Sequence, residues 1–202
     1  MRAGTPRAGG DGGQTILIYV VVVSGLLFLA FAYFAFAQAA EARNGAQSAA
    51  DAAALAAAQD VRNQMADGLT GSLGQKDAWA GWLLGDHPVA GTGSAAAARL
   101  AGDNDATLDG LAPTTVKGYP AFEASVTTRF TVGKSVIPGT EGRHAKAHAV
   151  AVIEPRCSVT PSGDLALVEF DCGRRHWEID PKKLDTIELP QPKDLFAVRL
   201  AE

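Results

Sequence analysis

The sequence predicts an α+β protein: a long N-terminal transmembrane helix continuing into an extracytoplasmic domain with a small, mostly antiparallel sheet. Three observations point to it. Residues 15–40 contain no charged side chain, and a helix of that length, at 1.5 Å per residue, reaches about 39 Å against a hydrocarbon core of roughly 30 Å. That run flows into an alanine-rich stretch at residues 47–58, interrupted only by Gly45; a single glycine costs a helix about 1 kcal/mol. From residue 119 onward the apolar spacing drops to two, the mark of half-buried strands.

Residues 1–13 form a short head with Arg2 and Arg7 against Asp11, and 16 of the 18 basic and 21 of the 22 acidic residues follow residue 40. A basic head before an apolar run predicts a cytoplasmic N-terminus and an outside C-terminal domain. The net charge of -4 and the lack of a basic stripe argue against a nucleic-acid ligand. The span covers residues 14–40, with its most apolar part at 16–36 and Tyr19 and Tyr33 near the two ends, where interfacial aromatics sit. Three fates compete for it. It stays as an uncleaved anchor. It is a signal peptide, since Ala37-Gln38-Ala39 is a small-x-small pattern before Ala40, although the apolar run exceeds the usual length of about 7–15 residues. Or it is a prepilin-type leader cut after Gly13, leaving Gln14 as the new terminus.

The water-side helix is expected over residues 41–67, stopping near Asp67-Gly68 where Gly71 and Gly74 follow. Ala39, Ala42, Ala46, Ala49, Ala53 and Ala56 recur at alternating spacings of three and four, an a/d seam made of alanine. One reading is a packing face for a partner helix, because small residues let backbones approach closely. The other is helix filler, because alanine has the highest helix propensity. Alanine alone buries too little area to hold a helix pair together in water, so the lipid-embedded half would have to supply the rest.

Residues 68–118 read as a short helix and loops. A helix at 75–85 would place Trp79, Trp82 and Leu83 on one face, as core aromatics against the long helix or as a belt touching lipid headgroups. Residues 91–118 read as loop, with one helical turn at 95–100. The sheet domain occupies residues 119–202. Its first strand, 119–132, puts Phe122, Ala124, Val126, Thr128, Phe130 and Val132 on one face and Glu123, Ser125, Thr127, Arg129 and Thr131 on the other. Val136-Ile137-Pro138-Gly139 marks a turn, residues 145–153 a second strand, Pro161-Ser162-Gly163 another turn, and 165–170 a third strand. Residues 177–179 and 195–200 read as edge strands on either side of the proline-rich 189–192. Cys157 and Cys172 flank the turn and third strand; an even count in an oxidising compartment favours a disulfide over two buried thiols. Closing a loop of that length contributes about 3 kcal/mol.

A short basic head, Gly13-Gln14-Thr15-Ile16, an apolar helix, and then Arg43-Asn44-Gly45-Ala46-Gln47-Ser48-Ala49-Ala50-Asp51-Ala52-Ala53-Ala54-Leu55-Ala56-Ala57-Ala58 follow one another here. This order resembles the N-terminal region of the TadE/TadG-like proteins of tight-adherence (Flp-type) pilus systems, over residues 11–62. The cysteine pair followed by Ile179-Asp180-Pro181 and the closing Asp194-Leu195-Phe196-x-Val198 is similar to short actinobacterial TadG-related proteins. Two departures bear on what the resemblance implies. Processed pilin-like members carry a Glu five residues after the cut, where this chain has Ile18. Longer members carry an Asp-x-Ser-x-Ser metal motif, and no such string occurs here.

No pattern for catalysis stands out. His144 and His148 lie four apart, but as strand residues they lack a carboxylate third ligand. Asp103-Asn104-Asp105 with Asp109-Gly110 lacks the glycine and bidentate acid of a calcium loop. Gly133-Lys134-Ser135 lacks the upstream glycine of a phosphate loop. His87 and His176 stand alone. The expectation is therefore a non-enzymatic component of a Flp-type pilus or related secretion apparatus, with no cofactor, metal, nucleic acid or small-molecule substrate. The resemblance implies partners in the bilayer and among pilus-system proteins or pilin-like helices. The alternative is a membrane-tethered binding module for an envelope ligand.

Overall fold

A computed structural model describes residues 12–75, 78–87, 91, 93–131, 142–159, 167–184 and 187–201. Residues 1–11 of the expected head at 1–13, Val132, Gly133-Lys134-Ser135, the turns at 136–139 and 161–163, and residues 165–166 of the expected third strand lie outside the described residues.

One helix, α1 (Gly12–Ser72), runs for 61 residues, past the expected stop at Asp67-Gly68. Two further helices pack on its water-side half: α2 (Ala78–Leu84) and α3 (Ser94–Asp103). The main sheet has the order β1-β2-β3-β7 and is antiparallel throughout. Its strands are β1 (Ala106–Val116), β2 (Tyr119–Thr131), β3 (His144–Pro155) and β7 (Phe196–Leu200). A second sheet, β4-β5-β6, is built from Cys157–Val159, Val168–Cys172 and Arg175–Ile179. A short helix, α4 (Pro192–Leu195), leads into β7, with the Gln191 backbone N–H donating to the Asp194 carboxylate at 3.1 Å.

Residues 91–118 are the largest correction to the sequence reading. They contain α3 and the 11-residue β1 rather than loop. Gly110 and Pro113 weaken any strand pattern, and only an edge position tolerates them. β1 is such an edge, and Pro113 sits in it opposite Phe122. A bulge between Leu108 and Gly110 absorbs Asp109, whose carboxylate accepts from the Thr127 hydroxyl. The turn joining β1 to β2 is the two-residue pair Lys117-Gly118, both with positive φ (53° and 87°), which gives the hairpin twist that flanking strands favour.

In β2, the face with Phe122, Ala124, Val126 and Thr128 is buried, but Phe130 is 39% exposed. In β3, Ala149, Ala151 and Ile153 are buried. Among the strands, these two supply most of the surface on which α1 lies, and α3 and α2 cover much of the rest. The core continues past the main sheet to Phe170, Ile179 and Leu195, which join Phe196 of β7 and Met65, Leu69 and Leu83 in one cluster.

Candidate functional site

The two halves of α1 meet opposite surroundings. Between Ile16 and Phe36, fifteen large apolar side chains are 52–75% exposed, and none of the domain covers them. A helix apolar on every side is suited to a bilayer, where all backbone hydrogen bonds must be satisfied within the segment.

From Ala42 onward the helix turns one stripe inward. Ala42, Ala46, Ala49, Ala50, Ala53, Ala54, Ala57, Ala58, Val61, Met65, Leu69 and Leu73 are buried, at the i, i+3, i+4, i+7 spacing of a core-facing helix. Residue size grows along this stripe. Methyl groups suffice where α1 crosses β2 and β3, whereas Met65 and Leu69 are needed further on, where Leu83 and the aromatic pair Trp79–Phe170 (6.0 Å between ring centroids) complete the core. The alanines read in the sequence as a seam are thus covered by this chain's own strands and by α3. Ala42, Ala46, Ala49 and Ala53 are enclosed, while Ala56, at 9% exposure, borders a surface groove of about 470 Å³ between α1 and α3 with Leu55 and Leu100. Within this chain the enclosed members are 0–2% exposed. The burial axis is also wider than the seam, since it takes in Ala50, Ala54, Ala57 and Ala58.

Three of the glycines at close approaches bring other elements against α1. Gly93 has φ 69°, and a Cβ there would lie 2.5 Å from the Ala57 carbonyl oxygen, so α3 enters directly against the α1 backbone. Gly68 lies beneath the Trp82 ring, which an added Cβ would meet at 2.7 Å. Gly45 lies under Phe130, whose Cζ is 3.0 Å from where a Cβ would sit. Trp79 and Trp82 are half-buried on α2, facing the domain core rather than standing out as a lipid-facing belt.

Cys157 and Cys172 are joined by a disulfide across the β4–β5 pair, with Cα atoms 4.0 Å apart, and Cys157 is also the register partner of Cys172. Gly13 and Gln14 lie in the first turn of α1; their side-chain surroundings are outside the described residues.

Several of the polar groups with candidate chemistry make structural hydrogen bonds. The His144 ring donates from Nδ1 to the Thr128 carbonyl at 2.7 Å, and the backbone N–H of Ala145 donates to the Thr128 hydroxyl at 3.0 Å. His148 is exposed, opposite Ser125. Asn104 caps the end of α3 by donating to the Leu100 carbonyl at 2.8 Å. His176 bonds Asp171 at 2.8 Å, and that hydrogen bond holds the imidazole above its ordinary value, more than burial lowers it. Glu154 accepts from Arg199, which holds its carboxyl below the usual range. Burial lowers the Arg62 guanidinium somewhat. Among the described residues no group of three His, Cys, Asp or Glu comes together to hold a metal.

The fold and the divided helix define a class: a protein with one bare apolar helix whose continuation is the central core element of a small α+β domain. Residues 13–60 match the family described as putative Flp pilus-assembly TadE/G-like. It is over that N-terminal segment, which contains the apolar half of α1 and the alanine-rich part of its enclosed half, that the chain is similar to the TadE/TadG-like family. Neither the curated proteins nor the solved structures gave a match.

Proposed function

We propose that the chain is a single-pass, non-enzymatic membrane component of a Flp-type pilus or related secretion apparatus, with its N-terminus cytoplasmic and its domain displayed outside. The observation that carries this is the single unbroken helix, bare and apolar from Ile16 to Phe36 and enclosed from Ala46 onward. The family match falls on that helix and supports the pilus-assembly setting. With the alanine stripe taken up inside the domain, lateral contacts with other pilus-system helices fall to residues 16–36 within the bilayer. Orientation follows from the Arg2/Arg7 head. The anchor is retained in this reading, since Ile18 stands where processed relatives carry Glu.

Labelling in intact cells tests the arrangement. The two native cysteines are tied to each other, so single substitutions report cleanly. Gly110 has nothing within 4 Å of an added Cβ; Gly110→Cys should react with an impermeant maleimide, and Ala8→Cys should not. The reverse pattern rejects the orientation. Intact mass distinguishes a retained anchor, at the full 20.9 kDa, from cleavage after Gly13. Co-purification with platform or pilin proteins distinguishes an assembly component from a domain that works alone.

A further inference from the structure

One aromatic side chain of the sheet meets α1 at the weakest point of its middle. Gly45 is the only glycine between residues 26 and 67, and it follows Asn44. Both residues disfavour helix, glycine by about 1 kcal/mol against alanine. Gly45 stands nine residues beyond Phe36, about 13.5 Å along the axis. The bare apolar run has ended there, and Ala42 and Ala46 are the first enclosed residues of the helix. Local propensity does not hold the helix straight at this point, yet α1 is unbroken across it.

Phe130 covers the weak point. The tip of its ring, Cζ, lies 3.0 Å from where a Cβ on Gly45 would sit, with Cε1 and Cε2 at 3.8 and 4.0 Å. The ring is therefore aimed end-on at the helix backbone, and a methyl group on residue 45 would press on it. The sheet sets that aim. Between Thr127, opposite Lys146, and Thr131, opposite His144, the β2 ladder is irregular, and irregularities of this kind re-aim a side chain. Side chains hold the stretch in place of the ladder. The His144 ring donates from Nδ1 to the Thr128 carbonyl at 2.7 Å and lies 3.1 Å from the Phe130 carbonyl. The Thr128 hydroxyl donates to that same Phe130 carbonyl at 2.8 Å and accepts from the Ala145 N–H at 3.0 Å. Phe130 itself is 39% exposed, so its contact can open locally while the enclosed core stays folded.

We propose that Phe130 is a latch on α1. Seated on Gly45, it keeps the helix straight beyond the span, so that the orientation of the span is carried to the sheet; withdrawn, it leaves Asn44-Gly45 as a hinge. This rests on the reading of residues 16–36 as a membrane span. The physical reason is local. A helical glycine leaves its backbone open to water, and a ring seated against it keeps water away. From Ala49 onward the stripe is enclosed by other side chains, so loss of the ring falls on the joint and not on the domain.

The test reads the joint in the full chain in nanodiscs. Leu26, 62% exposed in the span, and Gly110, with nothing within 4 Å of an added Cβ, take spin labels as Leu26→Cys and Gly110→Cys, since the native cysteines are bridged. Gly110 is opposite Ser125, Ser125 is opposite His148, and the His148 carbonyl accepts from Gln47 at 3.4 Å. The labels are thus separated by about 32 Å along α1, a span suited to pulsed dipolar spectroscopy. With Phe130 in place the distance distribution should be narrow. Phe130→Ala should broaden it and speed amide exchange at residues 46–49 about tenfold, matching the lost cover of a partly buried phenylalanine, while exchange in β5 and β6 stays as it was. Gly45→Ala added to Phe130→Ala should narrow the distribution again and slow that exchange about fivefold, because alanine restores the missing helix propensity. An unchanged distribution in Phe130→Ala overturns the latch, and so does broadening that Gly45→Ala does not reverse. Should Phe130→Ala fold poorly, exchange in the unaltered protein decides: residues 46–49 as slow as residues 53–57 support the latch, and faster exchange at 46–49 overturns it. A chain that does not enter nanodiscs overturns the span reading and this proposal with it, whereas the other outcomes bear on the latch alone.

Discussion

Bulk added at two alanines of the same helix should have opposite consequences. Ala49 is fully enclosed, with Ala149 and Ala151 of β3 and Val126 of β2 among the side chains of the same core. Ala49→Leu adds three carbons where no space exists, and overpacking of this kind costs about 1–3 kcal/mol. Leucine and alanine differ little in helix propensity, so α1 itself should persist. For a domain of this size each kcal/mol moves the melting temperature by roughly 2–4 °C, which predicts a fall of roughly 2–12 °C. Ala56 borders the 470 Å³ groove between α1 and α3. There the added carbons can lie against Leu55 and Leu100, and partial burial at about 0.8 kcal/mol per methylene makes Ala56→Leu neutral or stabilising by up to about 1 kcal/mol. Gln47, exposed and donating to Asp51 at 2.8 Å, is the surface control, and Gln47→Leu should change little. Thermal melts of the full chain in detergent or nanodiscs measure all three. If Ala56→Leu is as costly as Ala49→Leu, or neither shifts the melt, then the enclosure of the alanine stripe is not what holds the domain on its helix.

Gly68→Ala should destabilise although alanine improves a helix by about 1 kcal/mol, because its Cβ would meet Trp82 at 2.7 Å; Gly71→Ala, with nothing within 4 Å, should not. Comparative denaturant midpoints separate the two. Gly93→Ala should cost about 2 kcal/mol or more, combining a left-handed backbone with contact to the Ala57 carbonyl, and should expose α3 to proteolysis. Reducing the Cys157–Cys172 bridge, which spans a sequence separation of 15, should lower stability by about 3 kcal/mol; non-reducing peptide mapping confirms the pairing first. His176 has a raised folded pKa, so its contribution is fully present below its ordinary value of 6.5 and is lost as pH rises through the raised value. His176→Gln should remove a small acid-side increment in melting temperature and leave the alkaline side unchanged.

The sequence already shows the elements whose periodicity is uninterrupted. The apolar run and the alanine spacing give α1, and β2 alternates cleanly through Thr128. The alanine pattern has the right period but hides its partner, because a stripe of methyl groups packs equally well on a foreign helix or on the chain's own strands. Only the long-range pairing of β2 with β3, and the placement of α3, decide between them. β1 was obscured by Gly110, Asp109 and Pro113, each tolerated through a bulge or an edge position. Lys117-Gly118, between the Thr-Thr-Val end of one run and a Tyr- and Phe-containing run, was the available hairpin signal. The division into two sheets was not legible either, since it follows from Cys157–Val159 leaving the main sheet directly after β3.

In the proposed arrangement one helix passes from lipid into a protein core, with no natural place for a hinge. The chain between Ala37 and Ala46 contains Gly45, yet the helix does not break there, and Phe130 covers that glycine from the sheet side. Sharp kinks need a proline, an inserted side chain or a bulge in the helical ladder, and residues 37–60 contain no proline. Rotation or tilt of the span is therefore passed directly to β2 and β3, which grip the helix from Ala46 onward. A neighbouring helix packed against residues 16–36 would set the azimuth of the whole domain, not merely its location. On the proposed reading, display geometry is then decided inside the bilayer, and the small side chains of the enclosed half keep the sheet close enough to the axis to follow.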